Sequence, residues 1–215
     1  MIPVLGVPVL KNHERLQRAL DRIDYPVKRL VIVDQSGEEN WRPEKPAMVT
    51  NMTVLNFPHA MGVAPSWNII IKATPFAPYW LFINDDVVPQ AGSFKILAEA
   101  ARKDAIVIPT VARFSFFTIG EEIIRDVGMF DERFYPMYYE DSEYLNRMAA
   151  FQRPVIEIQC PVHHDTSSTI HADGYAPKNN ITFPRLHEYY MSKISRKDYS
   201  EGGWSLKVRR DNSWD

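Results

Sequence analysis

The sequence predicts an α/β protein with a mostly parallel central sheet, and two observations carry this prediction. Near-continuous apolar runs end abruptly in polar or acidic residues, which is typical of strands buried on both faces of a parallel sheet. Helical periodicity lies between these runs, and alternation of strand and helix indicates βαβ units with right-handed crossovers. The length of 215 residues fits one domain spanning residues 1–215, which can bury a core without disulfides or metal sites.

The strands are predicted from apolar runs rich in β-branched and aromatic residues. The strongest three are Val4–Leu10, Arg29–Val33 and Tyr79–Ile83. Ala105–Pro109 is a shorter candidate, and Thr53–Asn56 is a weaker one.

Helices are predicted where apolar residues recur at helical spacing. The first helix begins at an Asn12 N-cap, and the second begins at a Ser93 N-cap and runs to about Arg102. A later helix covers Asp141–Phe151, and Pro75 and Pro78 end another helix before the Tyr79 strand. The repeating apolar positions are Leu16, Ala19, Leu20 and Ile23; Ile96, Leu97, Ala100 and Ala101; Tyr144, Leu145 and Met148; and, in a C-terminal helix, Leu186, Tyr189, Tyr190 and Ile194.

The composition excludes several classes of function. Lys and Arg number 25 against 27 Asp and Glu, so the net charge of -2 offers no broad footprint for a nucleic-acid partner. No apolar run is long enough for a transmembrane segment, and the first ten residues lack the basic region of a signal peptide. The one cysteine, Cys160, excludes an internal disulfide and a thiolate metal cluster, and we expect a packed thiol in a strand. We therefore expect a soluble, cytoplasmic protein.

Acidic and polar residues follow two of the predicted strands. Asp34–Gly37 follows the second strand, and Asn84–Asp86 follows the Tyr79 strand. Ligands of open α/β sheets bind beyond the carboxyl ends of the strands. Adjacent carboxylates there hold a divalent cation together with substrate phosphates, or they form a solvated turn with no ligand. The residues alone leave both interpretations open.

Two further groups of residues have alternative interpretations. Glu140 and Asp141 open a predicted helix, where acidic side chains complement the helix dipole, and where a positioned carboxylate can also act as a general base. His163–Asp165, followed by Thr166–Thr169, is a polar loop or a contributor to a metal or phosphate site. The sequence contains no phosphate-binding loop, dinucleotide-binding turn, H-E-x-x-H motif or nucleophile elbow.

Taken in order, five motifs resemble those of the GT-A-fold glycosyltransferases of the family-2-like group, from about Val4 to Thr169. The five matching segments are Val31–Ser36 (VIVDQS), His59–Asn68 (HAMGVAPSWN), Phe82–Asp86 (FINDD), Val127–Phe134 (VGMFDERF), and Tyr139–Asp141 followed by Arg147. The D-x-D metal motif of the family reads Asn84-Asp85-Asp86 here, so the first carboxylate is replaced by an amide.

The resemblance implies a role for each matching residue. Transfer of a sugar from a nucleotide diphosphate would use Asp141 as the base that deprotonates the acceptor hydroxyl, with Glu140 orienting the acceptor, in one inverting displacement. Asp86 and His163 would hold a divalent cation, Mn²⁺ or Mg²⁺. The residues expected to contact the nucleotide sugar are Val7, Asp34, Gly62, Asn68, Asn84, Asp85 and Arg113.

The resemblance also implies partners and organisation. We expect a UDP-sugar donor, with glucose or rhamnose as candidate sugars, and a glycan or glycoprotein acceptor. Residues of about 1–105 form the nucleotide-sugar half, and about 106–215 form the acceptor half and a C-terminal tail. Phe134, Tyr135, Tyr138 and Tyr139 are expected to stack on sugars or to enter the core, and Phe114–Phe117 to line the acceptor cleft. The compact size is similar to glycosyltransferase domains of large algal viruses, which implies the host cytoplasm and a longer multidomain protein.

Three alternatives compete with this interpretation. A non-catalytic sugar- or nucleotide-binding module of the same fold would keep Asp34 and Asp86 but would not need Asp141. A sugar-nucleotide pyrophosphorylase is disfavoured, because the segment after the first strand (Pro8–His13) lacks a Gly-rich basic loop. A retaining transferase stays open, because only Asp141 argues for inversion.

Overall fold

The computed structural model describes residues 1–164 and 175–200. The strands are β1 (Leu5–Val9), β2 (Val27–Asp34), β3 (Val49–Asn56), β4 (Tyr79–Ile83), β5 (Val87–Pro89), β6 (Ile106–Pro109), β7 (Phe116–Gly120), β8 (Val155–Ile158) and β9 (Val162–His164). The helices are α1 (His13–Leu20), α2 (Val63–Ala73), α3 (Ser93–Ala100), α4 (Glu121–Val127), α5 (Glu140–Ala150) and α6 (Tyr175–Arg196), and a 3₁₀ turn covers Arg113–Ser115.

Seven of these strands form one central sheet in the order β3-β2-β1-β4-β7-β6-β8. Neighbouring strands are parallel except at β7, which is antiparallel to both β4 and β6. The separate β5–β9 pair is antiparallel. The predicted fold class, α/β with a mostly parallel sheet flanked by helices, is confirmed.

The predicted strands and most helices are present with slightly different ends. Asn12 caps α1 as predicted, since its Oδ1 accepts a hydrogen bond of 2.9 Å from the backbone N–H of Arg15. The predicted Ser93 cap is wrong, because the capping residue is Gly92. Ser93 is buried, and its hydroxyl lies 2.7 Å from the carbonyl oxygen of Gln90. Ile96 is exposed, contrary to its predicted packing.

Aromatic rings join the sheet to the helices on one face. Trp67 of α2 contacts Phe82 of β4 at 6.1 Å between ring centroids, Phe117 of β7 at 5.2 Å and Phe130 at 4.7 Å. Phe130 in turn lies 4.3 Å from Tyr144 of α5. This cluster fixes α2 and α5 against β4, the strand that Asn84 follows.

The predicted role of Phe114–Phe117 in an acceptor cleft is wrong for its three phenylalanines. Phe114, Phe116 and Phe117 are buried in the core, two of them in the same aromatic cluster as Trp67. Cys160 is buried as expected, although it follows β8 and is not part of a strand, and burial raises the pKa of its thiol.

Within residues 1–164 and 175–200, no helix combines the length and apolar composition required to cross the membrane.

Candidate active site

Asp34, the last residue of β2, is completely buried at the carboxyl end of the sheet. Its Oδ1 lies 3.1 Å from Nε2 of His13 and accepts a hydrogen bond of 3.2 Å from the backbone N–H of Ser36. Its Oδ2 accepts hydrogen bonds of 2.9 Å from the Ser36 hydroxyl and 2.9 Å from Nδ2 of Asn56. The carboxylate therefore connects β2, the end of β3 and the first residue of α1.

A stacked pair of rings adjoins this carboxylate. The rings of His13 and Trp41 lie 3.8 Å apart and are inclined by only 10°. Arg42 donates a hydrogen bond to Asn56 Oδ1, so the same amide contacts both Arg42 and Asp34. The sequence pattern did not indicate His13 or Trp41, because neither follows a strand directly.

Gln35 connects the end of β2 to the loop that precedes α2. Its side-chain oxygen accepts hydrogen bonds of 2.6 Å from the backbone N–H of Met61 and 3.0 Å from that of Gly62. Gly62 has a φ of +98°, and a Cβ there would lie 2.8 Å from the carbonyl oxygen of Pro136. This oxygen also accepts a hydrogen bond of 3.1 Å from Val63. The segment just before α5 therefore lies at the start of α2, at the carboxyl edge of the sheet.

Asn68 is buried on α2, and its side chain bonds to the Val127–Phe134 segment. Its amide nitrogen donates to the Phe130 carbonyl at 2.9 Å and to Glu132 Oε1 at 2.8 Å, while its Oδ1 accepts from the Phe130 N–H at 3.0 Å. The amide thus holds the Val127–Phe134 segment against α2, and a direct contact with a nucleotide sugar stays a prediction.

Asn84, Asp85 and Asp86 follow β4 at the same edge. The backbone N–H of Asn84 donates to the Ser115 carbonyl at 2.8 Å, and its buried Oδ1 has no hydrogen-bond partner among the described residues. Burial, and then repulsion from Asp86, raise the pKa of Asp85 to about 7. A divalent cation suits this chemistry, because it would supply the missing partner for Asn84 and offset the repulsion between two carboxylates.

His163 is brought to this region by strand pairing. In the β5–β9 ladder it lies opposite Val88, two positions beyond Asp86 in the sequence. The described residues contain no group of three His, Cys, Asp or Glu side chains arranged to hold a metal. A site at Asp86 would therefore need oxygen atoms from the substrate, as Mg²⁺ sites with one or two carboxylates do. Asp165 and the Thr166–Thr169 stretch lie outside the described residues.

Arg113 and Val7 lie in contrasting places. Arg113 lies on the 3₁₀ turn between β6 and β7, the turn whose Ser115 carbonyl bonds Asn84, and its guanidinium lies 3.3 Å from Glu157, with both side chains half exposed. Val7 is completely buried in β1, where its side chain packs in the core. Of these two predicted contacts, only Arg113 presents a side chain to the surface.

Glu140 and Asp141 are the first two residues of α5. Glu140 is only 7% exposed, and its Oε2 has no hydrogen-bond partner among the described residues. Burial, and then repulsion from Asp141, raise the pKa of Glu140 to about 8. Asp141 is half-buried, and its Oδ1 accepts hydrogen bonds from the backbone N–H of Ser142 at 2.6 Å and from the Ser142 hydroxyl at 3.2 Å. The two neighbouring carboxyls therefore differ in environment.

The other aromatic residues of this loop are divided between surface and core. Phe134 is buried and packs 5.0 Å from the ring of Tyr189, whereas Tyr135 is exposed. Tyr138 and Tyr139 are half-buried and face α6.

A buried ionic cluster anchors α6 beside α5. Lys193 Nζ lies 2.8 Å from Asp131 Oδ2 and 2.7 Å from Glu143 Oε1. Arg147 contacts Glu143 at 3.0 Å, and Arg133 contacts Asp131 at 2.9 Å. Burial alone would raise the pKa of Asp131, but hydrogen bonds from Arg133 and Lys193 hold it below its ordinary value. Arg147, the arginine that follows the Tyr139–Asp141 motif, is therefore part of this ionic cluster through Glu143.

The architecture is that of the GT-A glycosyltransferase fold, as comparison with solved structures shows. S. aureus TarS has a TM-score of 0.58 and 13% identity, over 94% of this chain and 41% of TarS. GalNAc-T7, solved with UDP, GalNAc and Mn²⁺, has a TM-score of 0.59 and 10% identity, over 95% of this chain and 52% of that protein.

In a third solved structure, a larger share of the matched protein aligns with this chain. Glucosyl-3-phosphoglycerate synthase from Mycobacterium tuberculosis, solved with Mn²⁺, UDP and phosphoglyceric acid, has a TM-score of 0.57 and 11% identity, over 86% of this chain and 78% of the synthase. This chain spans about half or less of TarS and GalNAc-T7. No protein-family model and no curated protein sequence matches it. At identities this low, the TM-scores establish a shared fold and no more than that.

Proposed function

We propose that this chain is a glycosyltransferase that moves a sugar from a UDP-sugar to an acceptor hydroxyl, with inversion and with the help of a divalent cation. The observation that carries the proposal is the acid pair Glu140–Asp141, which opens α5 soon after Pro136, whose carbonyl bonds Val63 at the start of α2, while Asn84–Asp86 follow β4 at the carboxyl edge of the sheet. Support also comes from the fold, because GalNAc-T7 and the M. tuberculosis synthase were both solved with UDP and Mn²⁺.

The nucleoside side of the proposed site is organised around Asp34. Because its carboxylate is buried and already has four hydrogen-bond contacts, its contribution is to fix His13, Ser36 and Asn56 at the strand ends. These three residues then offer polar atoms to a nucleoside. This arrangement fits residues 1–105 as the nucleotide-sugar half, with Arg113 reaching the same edge from the other half.

Asp86 and Asn84 are the residues proposed to hold the cation, with His163 as a further ligand from β9. The bound cation would neutralise negative charge that develops on the departing diphosphate. The protein contributes a buried amide oxygen and a half-buried carboxylate, which are the hard oxygen donors that Mn²⁺ and Mg²⁺ accept.

Asp141 is the proposed base. Within the described part of the chain, both hydrogen bonds to its carboxylate go to Oδ1, which leaves Oδ2 to accept the proton of the attacking hydroxyl. The oxygen of that hydroxyl then bonds to the anomeric carbon as the bond to the diphosphate breaks. Glu140 keeps its proton near neutral pH and is suited to donate a hydrogen bond to the acceptor.

Asp141→Asn is the experiment that tests this function. The variant keeps the shape and the Ser142 contacts but cannot take a proton, so transfer should fall by about 10²- to 10⁴-fold. The donor is chosen first by thermal shift with UDP-, GDP- and dTDP-sugars, each with and without Mn²⁺, because bound ligand raises the melting temperature.

Two outcomes would contradict the proposal. If folded Asp141→Asn transferred sugar at a near-normal rate, the assignment of Asp141 as the base would be wrong. If no nucleotide sugar raised the melting temperature, the proposed donor site would be wrong. Proton NMR of the product's anomeric configuration separates the inverting reaction from a retaining one. Asp126→Asn, which alters an acidic residue of α4 outside the proposed site, is the matched control.

A further inference from the structure

Four aromatic side chains cluster where the residues that precede the acid pair meet α6, and we call them the aromatic platform: Tyr138, Tyr139, Phe183 and His187. The Phe183 ring of α6 lies 5.3 Å from the rings of both tyrosines. His187 Nδ1 lies 3.1 Å from the Tyr139 hydroxyl. Phe183 is 40% exposed, so this group of rings has a side that meets solvent.

The platform is built on a strained backbone. Tyr138 and Tyr139 have φ values of 83° and 70°, a region that costs a residue with a side chain about 1–2 kcal/mol. Two successive tyrosines would not adopt it without a surrounding structure that requires it, and such strain concentrates at functional sites. Here it turns both rings toward α6 immediately before Glu140.

The platform is also held in place independently of any ligand. Tyr190 stacks on Tyr139 with ring centroids 5.1 Å apart, and the Tyr190 hydroxyl accepts a hydrogen bond of 2.9 Å from Asn146 of α5. One helical turn further along α6, Lys193 is fixed between Asp131 and Glu143. The rings are therefore preorganised, which reduces the entropy lost on binding.

Glu140 provides the polar partner. Its buried Oε2 has no hydrogen-bond partner among the described residues. The pKa of the Tyr138 phenol is raised mainly by burial and secondly by the charge of the nearby Glu140 carboxylate. A buried polar atom without a partner is costly, so a ligand that brings an oxygen to it is favoured. The ligand that fits these rings therefore carries hydroxyl groups as well as an apolar surface.

We propose that the aromatic platform binds a pyranose ring of the acceptor, with one C–H face of the sugar against Phe183 and Tyr138 and a hydroxyl group at Glu140. A pyranose combines an apolar face with hydroxyls around its rim, which matches rings bordered by one unsatisfied carboxyl. Anionic ligands are disfavoured beside Asp141. Describing this sugar as the acceptor rests on the proposed function.

Saturation-transfer NMR tests the proposal with methyl β-glycosides of glucose, galactose, mannose and xylose as probes, in the presence of UDP and Mn²⁺. Saturation should reach the ring C–H protons of at least one glycoside. Phe183→Ala should weaken that binding by about threefold to tenfold, while Phe183→Tyr, which keeps the ring, should retain it. Ile181→Ala removes a 65% exposed apolar side chain from the same helix and should change nothing.

The outcomes separate this proposal from the proposed function. Absence of NMR saturation transfer to all four glycosides, or equal glycoside binding by Phe183→Ala and the wild type, overturns the platform. If the wild type transfers sugar while Phe183→Ala keeps its acceptor KM, the function stands and the platform fails. If a glycoside binds the rings and Phe183→Ala loses it, but no nucleotide sugar is ever used, the platform stands and the transferase fails. Melting temperatures of the variants confirm that each is folded.

Discussion

Replacing Glu140 with glutamine should stabilise the protein, and increasingly so as the pH rises. The carboxyl is 7% exposed, its Oε2 has no partner among the described residues, and Asp141 is its neighbour. Each of these features disfavours the ionised form, and backbone hydrogen bonds only partly compensate. Glutamine has nearly the shape of the protonated acid and does not ionise.

The magnitude follows from the displacement of the pKa from 4.5 to about 8. Because the folded state keeps a proton that the unfolded state has already released, wild-type stability falls as the pH rises through this window. At roughly 1.4 kcal/mol for each pKa unit, the loss is about 3 kcal/mol by about pH 7 and about 5 kcal/mol by about pH 9. Below about pH 4 the contribution vanishes.

Urea unfolding of wild type and Glu140→Gln, followed by tryptophan fluorescence between about pH 5 and pH 8.5, measures this difference. Asp85 also has a raised pKa, but it is present in both proteins and its contribution cancels. The variant's advantage should grow steadily with pH. An advantage that is the same at both ends of the range would show that Glu140 ionises normally, and the reasoning from its burial would be wrong.

The remaining predictions concern the ionic cluster, the turn before α2 and the cation. Lys193→Ala should lower the free energy of unfolding by about 3 kcal/mol, because it removes the buried cation that joins Asp131 to Glu143 and leaves each carboxylate with its arginine alone. Arg133→Ala should cost under about 1 kcal/mol, since its side chain is 45% exposed; equal losses in urea unfolding would contradict the assignment. Gly62→Ala should destabilise the protein by about 1–2 kcal/mol more than Gly92→Ala. Both glycines have positive φ, but of the two only Gly62 would bring a Cβ against a carbonyl oxygen, that of Pro136. Equal melting temperatures of the two variants would refute this. Chelation with EDTA should abolish both transfer and the thermal shift caused by UDP, and Mn²⁺ should restore both; undiminished transfer in EDTA would exclude the cation.

Sequence patterns predicted the parallel part of the sheet because buried strands have a simple signature. β1, β4 and the Leu30–Val33 part of β2 have no charged or amide side chain, and polar residues follow β2 and β4 closely. β7 was missed because Phe114–Phe117 is equally compatible with a cleft or a core, and its antiparallel direction has no local sequence signature. Ser93 was assigned as a cap because serine is a common N-cap residue, but the backbone turns at Gly92.

The candidate site was predictable only in part, for a related reason. Asp34 and Asn84–Asp86 follow strands directly, so the position of each strand end indicates them. His13, Lys193 and Phe183 reach the site through tertiary packing of α1 and α6, which no spacing in the sequence reveals. The viral resemblance, the acceptor and the two functional halves stay predictions.

The position of Lys193 in the ionic cluster has a consequence for the order of folding. During synthesis, β1 to β4 can pair as soon as they emerge, and Asp131 and Glu143 leave the ribosome close to Arg133 and Arg147 but long before Lys193, the cation that joins them. Until Lys193 is present, each of these buried carboxylates lacks one of its two cationic partners, so the region around α5 should complete its packing only after α6 has been made. We therefore expect the nascent chain to assemble in two stages. The sheet of β1 to β4 forms first, and the packing around α5 is completed when Lys193 of α6 joins Asp131 and Glu143.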